Sequence, residues 1–174
     1  MRILLHVFVF ASLWPVQAAY AQESVEQTQF SAEDAAVKKP VPLPPEITAI
    51  LKQDGMVQSV LSNSNIPAEN LPSDWFSASV IHLGTKATAD LIVVAEPPLA
   101  GGNVVTFWVF RKWSGSYTLV LTAPVHDLRI MHHRTRNYRD IELVSMSASL
   151  ISTTLCRFDG KQYAAFRSTS KTIE

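Results

Sequence analysis

The stretch NVVTFWVFRKWSGSY, running from Asn103 to Tyr117, decides the fold class. From Val104 to Phe110 the apolar side chains fall on both sides of a two-residue period. Val104, Trp108 and Phe110 share one side, and Val105, Phe107 and Val109 the other. β-Branched and aromatic residues this dense favour a strand, and apolar residues on both sides predict one covered on both faces. Ser114-Gly115 then marks a turn, and Tyr117 opens the next run.

Working outward, eight such runs follow one another. They are Phe76 to Leu83, Ala89 to Glu96, Asn103 to Lys112, Tyr117 to Ala123, Asp127 to His133, Arg139 to Met146, Leu150 to Phe158 and Gln162 to Arg167. Pro97-Pro98 with Gly101-Gly102, Ser114-Gly115, Asn137 and Asp159-Gly160 separate some of them. These connections are too short for parallel crossovers, so antiparallel neighbours are expected.

The eight runs divide into two similar fours. Asp90-Leu91-Ile92-Val93 matches Asp140-Ile141-Glu142-Leu143, about fifty positions on, which is the size of one four-stranded unit. In each unit an Asp opens the second strand, a Gly turn (Gly115 or Gly160) follows the third, and Tyr117 or Tyr163 opens the fourth. Asp90 and Asp140 therefore read as structural turn residues that accept backbone N–H bonds. Over Phe76 to Arg167 the pattern resembles the FG-GAP-type blade repeat of β-propeller proteins. In that family an acidic calcium loop precedes a strand that begins Asp-Leu or Asp-Ile. Here the corresponding loop positions hold His82, Gly84 and Lys86, then His132, Arg134 and Arg136. Ca²⁺ needs several oxygen ligands, so the family's metal chemistry does not carry over. Two units are also too few for a propeller, which takes about four blades. The expected fold is α+β and mainly antiparallel β. Two four-stranded meanders pack as a sandwich or a partly open barrel, with one or two short helices ahead of them.

Before the strands, Ile47, Ile50 and Leu51 share one helical face and predict a helix over Glu46–Asp54, with Gly55 as a left-handed stop. A second short helix is expected over Met56–Leu61. Asn63–Pro72 reads as a loop with one turn at Pro67–Leu71.

The N-terminus carries an export pattern. Arg2 precedes an apolar run from Ile3 to Leu13, and Ala19-Tyr20-Ala21 supplies the small residues of a cleavage site. The run is about half of the roughly 20 residues a spanning helix needs, so residues 1–21 are expected to be a cleaved signal peptide. A periplasmic or secreted location after cleavage near Ala21 follows, with no membrane span thereafter. Residues 22–45 are rich in Gln, Glu, Ser, Ala and Pro and predict a disordered Pro-rich linker. The domain is then 46–168, with 169–174 as a flexible tail.

Fifteen basic and fifteen acidic side chains cancel, which gives no general pull toward nucleic acid. Cys156 is the one cysteine, so no internal disulfide can form, and the domain must rely on a hydrophobic core. A buried position suits Cys156 best.

Two regions could carry function. The run His132-His133-Arg134-Thr135-Arg136-Asn137-Tyr138-Arg139 predicts a hairpin tip able to bind anions, through His132, Arg134, Arg136, Tyr138 and Arg139. The bland alternative is a solvated turn whose charges pair with Asp127, Asp140 and Glu142. Trp108, Phe110, Trp113 and Tyr117 could line a cavity, although aromatics at strand spacing usually belong to a core. His126, His132 and His133 with Asp127 do not converge as a zinc site requires, so no metal and no cofactor are expected. No Gly-x-Ser-x-Gly elbow or activated thiol appears, so catalytic residues are not assigned. The expectation is an exported, non-catalytic binding module of the bacterial cell envelope, with a protein or envelope polymer as partner. One alternative is a carrier of a small apolar ligand in a cavity near Phe107, Trp108 or Leu119. Another is an envelope hydrolase with a site assembled from distant residues.

Overall fold

The fold is described from a computed structural model over residues 26–34, 37–85 and 88–173. The expected signal peptide lies outside the described residues. Among the described residues nine strands form two antiparallel sheets. The first repeat unit supplies a four-stranded sheet in the order β2-β3-β4-β5: β2 (Phe76–Ile81), β3 (Asp90–Ala95), β4 (Val105–Trp113) and β5 (Ser116–Val125). The second unit supplies β6 (Asp127–Thr135), β7 (Tyr138–Met146), β8 (Leu150–Phe158) and β9 (Tyr163–Thr172). These join β1 (Gln29–Ser31) in a five-stranded sheet ordered β1-β6-β7-β8-β9. The two meanders thus stay separate and make a β-sandwich rather than a closed barrel. The chain passes from one sheet to the other at His126, whose N–H donates to the Val144 carbonyl.

β4 lies at the centre of the packing, and its two faces have different tasks. Phe107 points toward the second sheet and meets Phe30 of β1, with ring centroids 6.4 Å apart. Trp108 points the other way, edge-on to Phe76, and its indole N–H donates to Asp54 Oδ2 at 2.9 Å. That second face is covered by helices α1 (Pro45–Leu51) and α2 (Gly55–Asn63), which bury Ile47, Leu51, Val57 and Leu61. Cover on both sides explains why all six residues of β3 are buried.

Three expectations need correction. Gly55 is not a helix stop: it is the first residue of α2, and Asp54 is that helix's N-cap, accepting from the Met56 and Val57 N–H groups. The first helix therefore ends at Leu51, not Asp54. The described parts of the segment expected to be a linker pack into the domain. β1 pairs with β6, Phe30 is buried, and the Val41 N–H donates to the Ala78 carbonyl on β2. Pairing with β6, the buried Phe30 and the Val41–Ala78 bond tie these parts to the domain. Thr169 to Thr172, expected as tail, continue β9 in register with β8.

Candidate binding cleft

Two hairpin tips, one from each sheet, build the site. At the end of β4–β5, Ser114 and Gly115 both have positive φ, 49° and 91°. At the end of β6–β7, Arg136 and Asn137 do the same, at 51° and 68°. A two-residue loop with two positive φ values is the mirror-type turn whose twist matches the flanking strands. Gly115 suits its place because an added side chain would be strained there. Both tips are therefore tightly determined, and the side chains beside them are held in place.

The five residues expected to bind anions do not act together. Arg139 is buried. Its guanidinium donates to the carbonyls of Met131 and Ile130 and, at 2.9 Å, to Glu26 Oε2. The cause is a bulge in β6: between the pairs Ile130–Ile141 and Arg134–Arg139 the register shifts, which frees carbonyls that the Arg139 side chain satisfies. Arg139 is thus a structural residue rather than a surface ligand group. Arg134 is exposed but donates to the carbonyls of Leu83 and Asn137. His132 is exposed. Arg136 and Tyr138 remain at the cleft.

The turn aspartates differ from each other. Asp90 is buried and accepts from the N–H groups of Leu83 at 2.9 Å and Lys112 at 2.8 Å, which fixes the strand that carries the cleft's basic residues. Asp140 instead takes side chains, His133 and Arg157. Gly160, with φ 119°, sits in a turn in which Asp159 accepts from the Lys161 and Gln162 N–H groups. Those bonds hold the exposed Asp159 carboxyl below its ordinary range.

Between the tips lies a cleft of about 240 Å³, lined by Arg111, Lys112, Trp113, Arg136, Asn137 and Tyr138 together with Gly84, Thr85 and Thr88. Among the described residues, none that line it is acidic. The Arg111 guanidinium lies 4.6 Å from the centroid of Trp113, 4.7 Å from Tyr138 and 5.2 Å from Phe158. Stacking on aromatic faces fixes the plane of a guanidinium but leaves its N–H donors unspent. Lys112 Nζ sits over Tyr117 at 5.1 Å. Neither Arg111 nor Lys112 forms a salt bridge among the described residues. Arg136 spends one donor on the Asp159 carbonyl at 2.8 Å. Trp113 is 59% exposed and forms an open platform. Chemically this is a cluster of cationic side chains beside an aromatic wall.

The remaining candidates are placed as follows. Phe107, Trp108 and Phe110 are fully buried in the core, and Leu119 is half-buried against it. His126 bonds Asp127, and His133 bonds Asp140. Among the described residues no group of three or more His, Cys, Asp or Glu is arranged to hold a metal ion. Among them, too, no helix is long and apolar enough to cross a membrane. Cys156 is buried, which pushes its thiol pKa up and leaves it a poor nucleophile. Arg111 and Lys112 were not singled out by the sequence. The available signal was two adjacent cations between a buried strand and a Gly turn, beside an aromatic residue. No family model, curated protein or solved structure matches this chain.

Proposed function

We propose that the chain is an exported, non-catalytic binding module of the bacterial cell envelope, and that it recognises carboxylate or phosphate groups on an acidic partner through the hairpin-tip cleft. The observation that carries this reading is Arg111, stacked against three aromatic rings and in no salt bridge among the described residues. A fixed, unpaired guanidinium loses little entropy when it takes an anion in its fork. Lys112 and Arg136 add charge on either side, and Trp113 offers a face to whatever carries the anion.

The test is retention of the mature domain on immobilised poly-L-glutamate and on immobilised polyphosphate. Retention on at least one matrix, lost in an Arg111→Ala/Arg136→Ala double variant that still folds, is the expected result. Passage through both columns, or equal retention of the variant, refutes the proposal.

A further inference from the structure

A second polar groove, of about 380 Å³, opens on the five-stranded sheet and shares no residue with the hairpin-tip cleft. Met131, His133, Asp140, Glu142, Arg157 and Arg167 are among its lining residues. Asp140 lies at its base, with a side chain only 1% exposed. All the hydrogen bonds of this carboxylate run through Oδ2, which takes His133 Nδ1 at 2.8 Å and Arg157 Nε at 3.4 Å. Oδ1 is sealed without a partner. Burying a carboxylate is costly unless its charge is matched, and both matching groups reach Asp140 from the groove.

We infer that this buried carboxylate serves to hold donors in place for an anionic ligand, a phosphoryl or carboxylate group. Nδ1 of His133 is committed to Asp140, so Nε2 is left on the open side of a side chain that is 65% exposed. When the ring carries its second proton, Nε2 is a donor. Arg157 uses Nε for Asp140, and its guanidinium stacks on Phe166 at 3.5 Å. Among the described residues its terminal nitrogens have no acceptor. The register shift in β9 brings Phe166 into that position, because Leu155 pairs with Arg167 and Cys156 with Ala165. Arg167 itself is exposed and makes no salt bridge among the described residues. Of the two carboxylates in the groove, Asp140 is matched as described and Glu142 pairs with Arg129 at 3.1 Å. With Arg157 answering Asp140 and Arg129 answering Glu142, Arg167 is left as the groove's unanswered cation among the described residues. Thr153 and Thr169 line the same groove and can serve an anion's remaining oxygens.

The experiment follows the His133 ring signals by NMR during titration with inorganic phosphate and, separately, with acetate. Saturation by either anion is expected, and the one that saturates names the ligand's acidic group. Arg167→Ala is the informative variant, because that side chain is exposed and its loss leaves Asp140 covered. It should weaken binding about tenfold, the effect of one charge-assisted contact. Arg111→Ala should leave the His133 titration unchanged, which separates this groove from the cleft. The inference is overturned if neither anion saturates the His133 signals, or if Arg167→Ala binds as tightly as the parent.

Discussion

The Tyr163 hydroxyl donates to the carbonyl oxygen of Arg139 at 2.7 Å, tying the start of the second unit's last strand to the start of its second. Tyr117 repeats the arrangement in the first unit, donating to the Ala89 carbonyl at 3.2 Å. In both, the acceptor immediately precedes the unit's buried aspartate, Asp140 or Asp90. The two bonds differ in burial: Tyr163 is buried, and its hydroxyl resists ionisation because burial and the nearby Asp90 and Asp140 disfavour the phenolate.

Tyr163→Phe should therefore cost about 1–2 kcal/mol, since a buried carbonyl is left without its donor. Tyr117→Phe should cost less than about 0.5 kcal/mol, because water replaces the bond. Urea midpoints of the two variants make the comparison, and equal costs would contradict it.

Arg139 and Arg136 make a second contrast. Arg139→Ala removes the partner of Glu26 and the donors to two strand carbonyls, and should cost about 3 kcal/mol or more. Arg136→Ala should leave stability within about 0.5 kcal/mol while weakening anion binding. Thermal melts of the single variants read the first effect. A stable Arg139→Ala protein would mean that the bulge carbonyls find other partners.

Phe30 tests whether the segment before the helices is part of the domain. Its ring is buried against Phe107, so Phe30→Ala should cost about 3–5 kcal/mol. A mere tether would show no change in the denaturation midpoint.

Asp127 sets an acid limit. Burial pushes its pKa up, but hydrogen bonds from Ser31 and His126 and the charges of His126 and Arg129 outweigh this and leave it below the ordinary 3.8. A carboxyl whose pKa is depressed on folding stabilises the fold above its unfolded value. That contribution is lost as pH falls through the folded value, below 3.8. Melting temperatures of Asp127→Asn should fall less steeply than those of the parent below that pH. Parallel curves would show that Asp127 contributes nothing to acid stability.

Sequence periodicity and turn residues made the eight long strands legible, although β9 buries only Tyr163, and the two-unit repeat became the division into two sheets. β1 was not legible: three residues with one buried Phe lie below any periodic signal. The role of Arg139 was hidden because the β6 bulge depends on pairing with β7, which no local pattern records. For the cleft, Arg136 and Tyr138 were visible as part of a basic tip. Arg111 was not, since the rings that fix it, Trp113, Tyr138 and Phe158, come together only when the two sheets pack.

The most direct measurement is the emission of Trp113, with Trp14, Trp75 and Trp108 replaced by Phe in a variant shown to fold, during titration with poly-L-glutamate at low and high salt. Arg111, the proposed anion ligand, lies 4.6 Å from this indole, so a saturable change is predicted. It should weaken steeply with salt and vanish in Arg111→Ala. Emission that stays constant throughout the titration, or responds equally with Arg111 removed, would contradict recognition at the cleft.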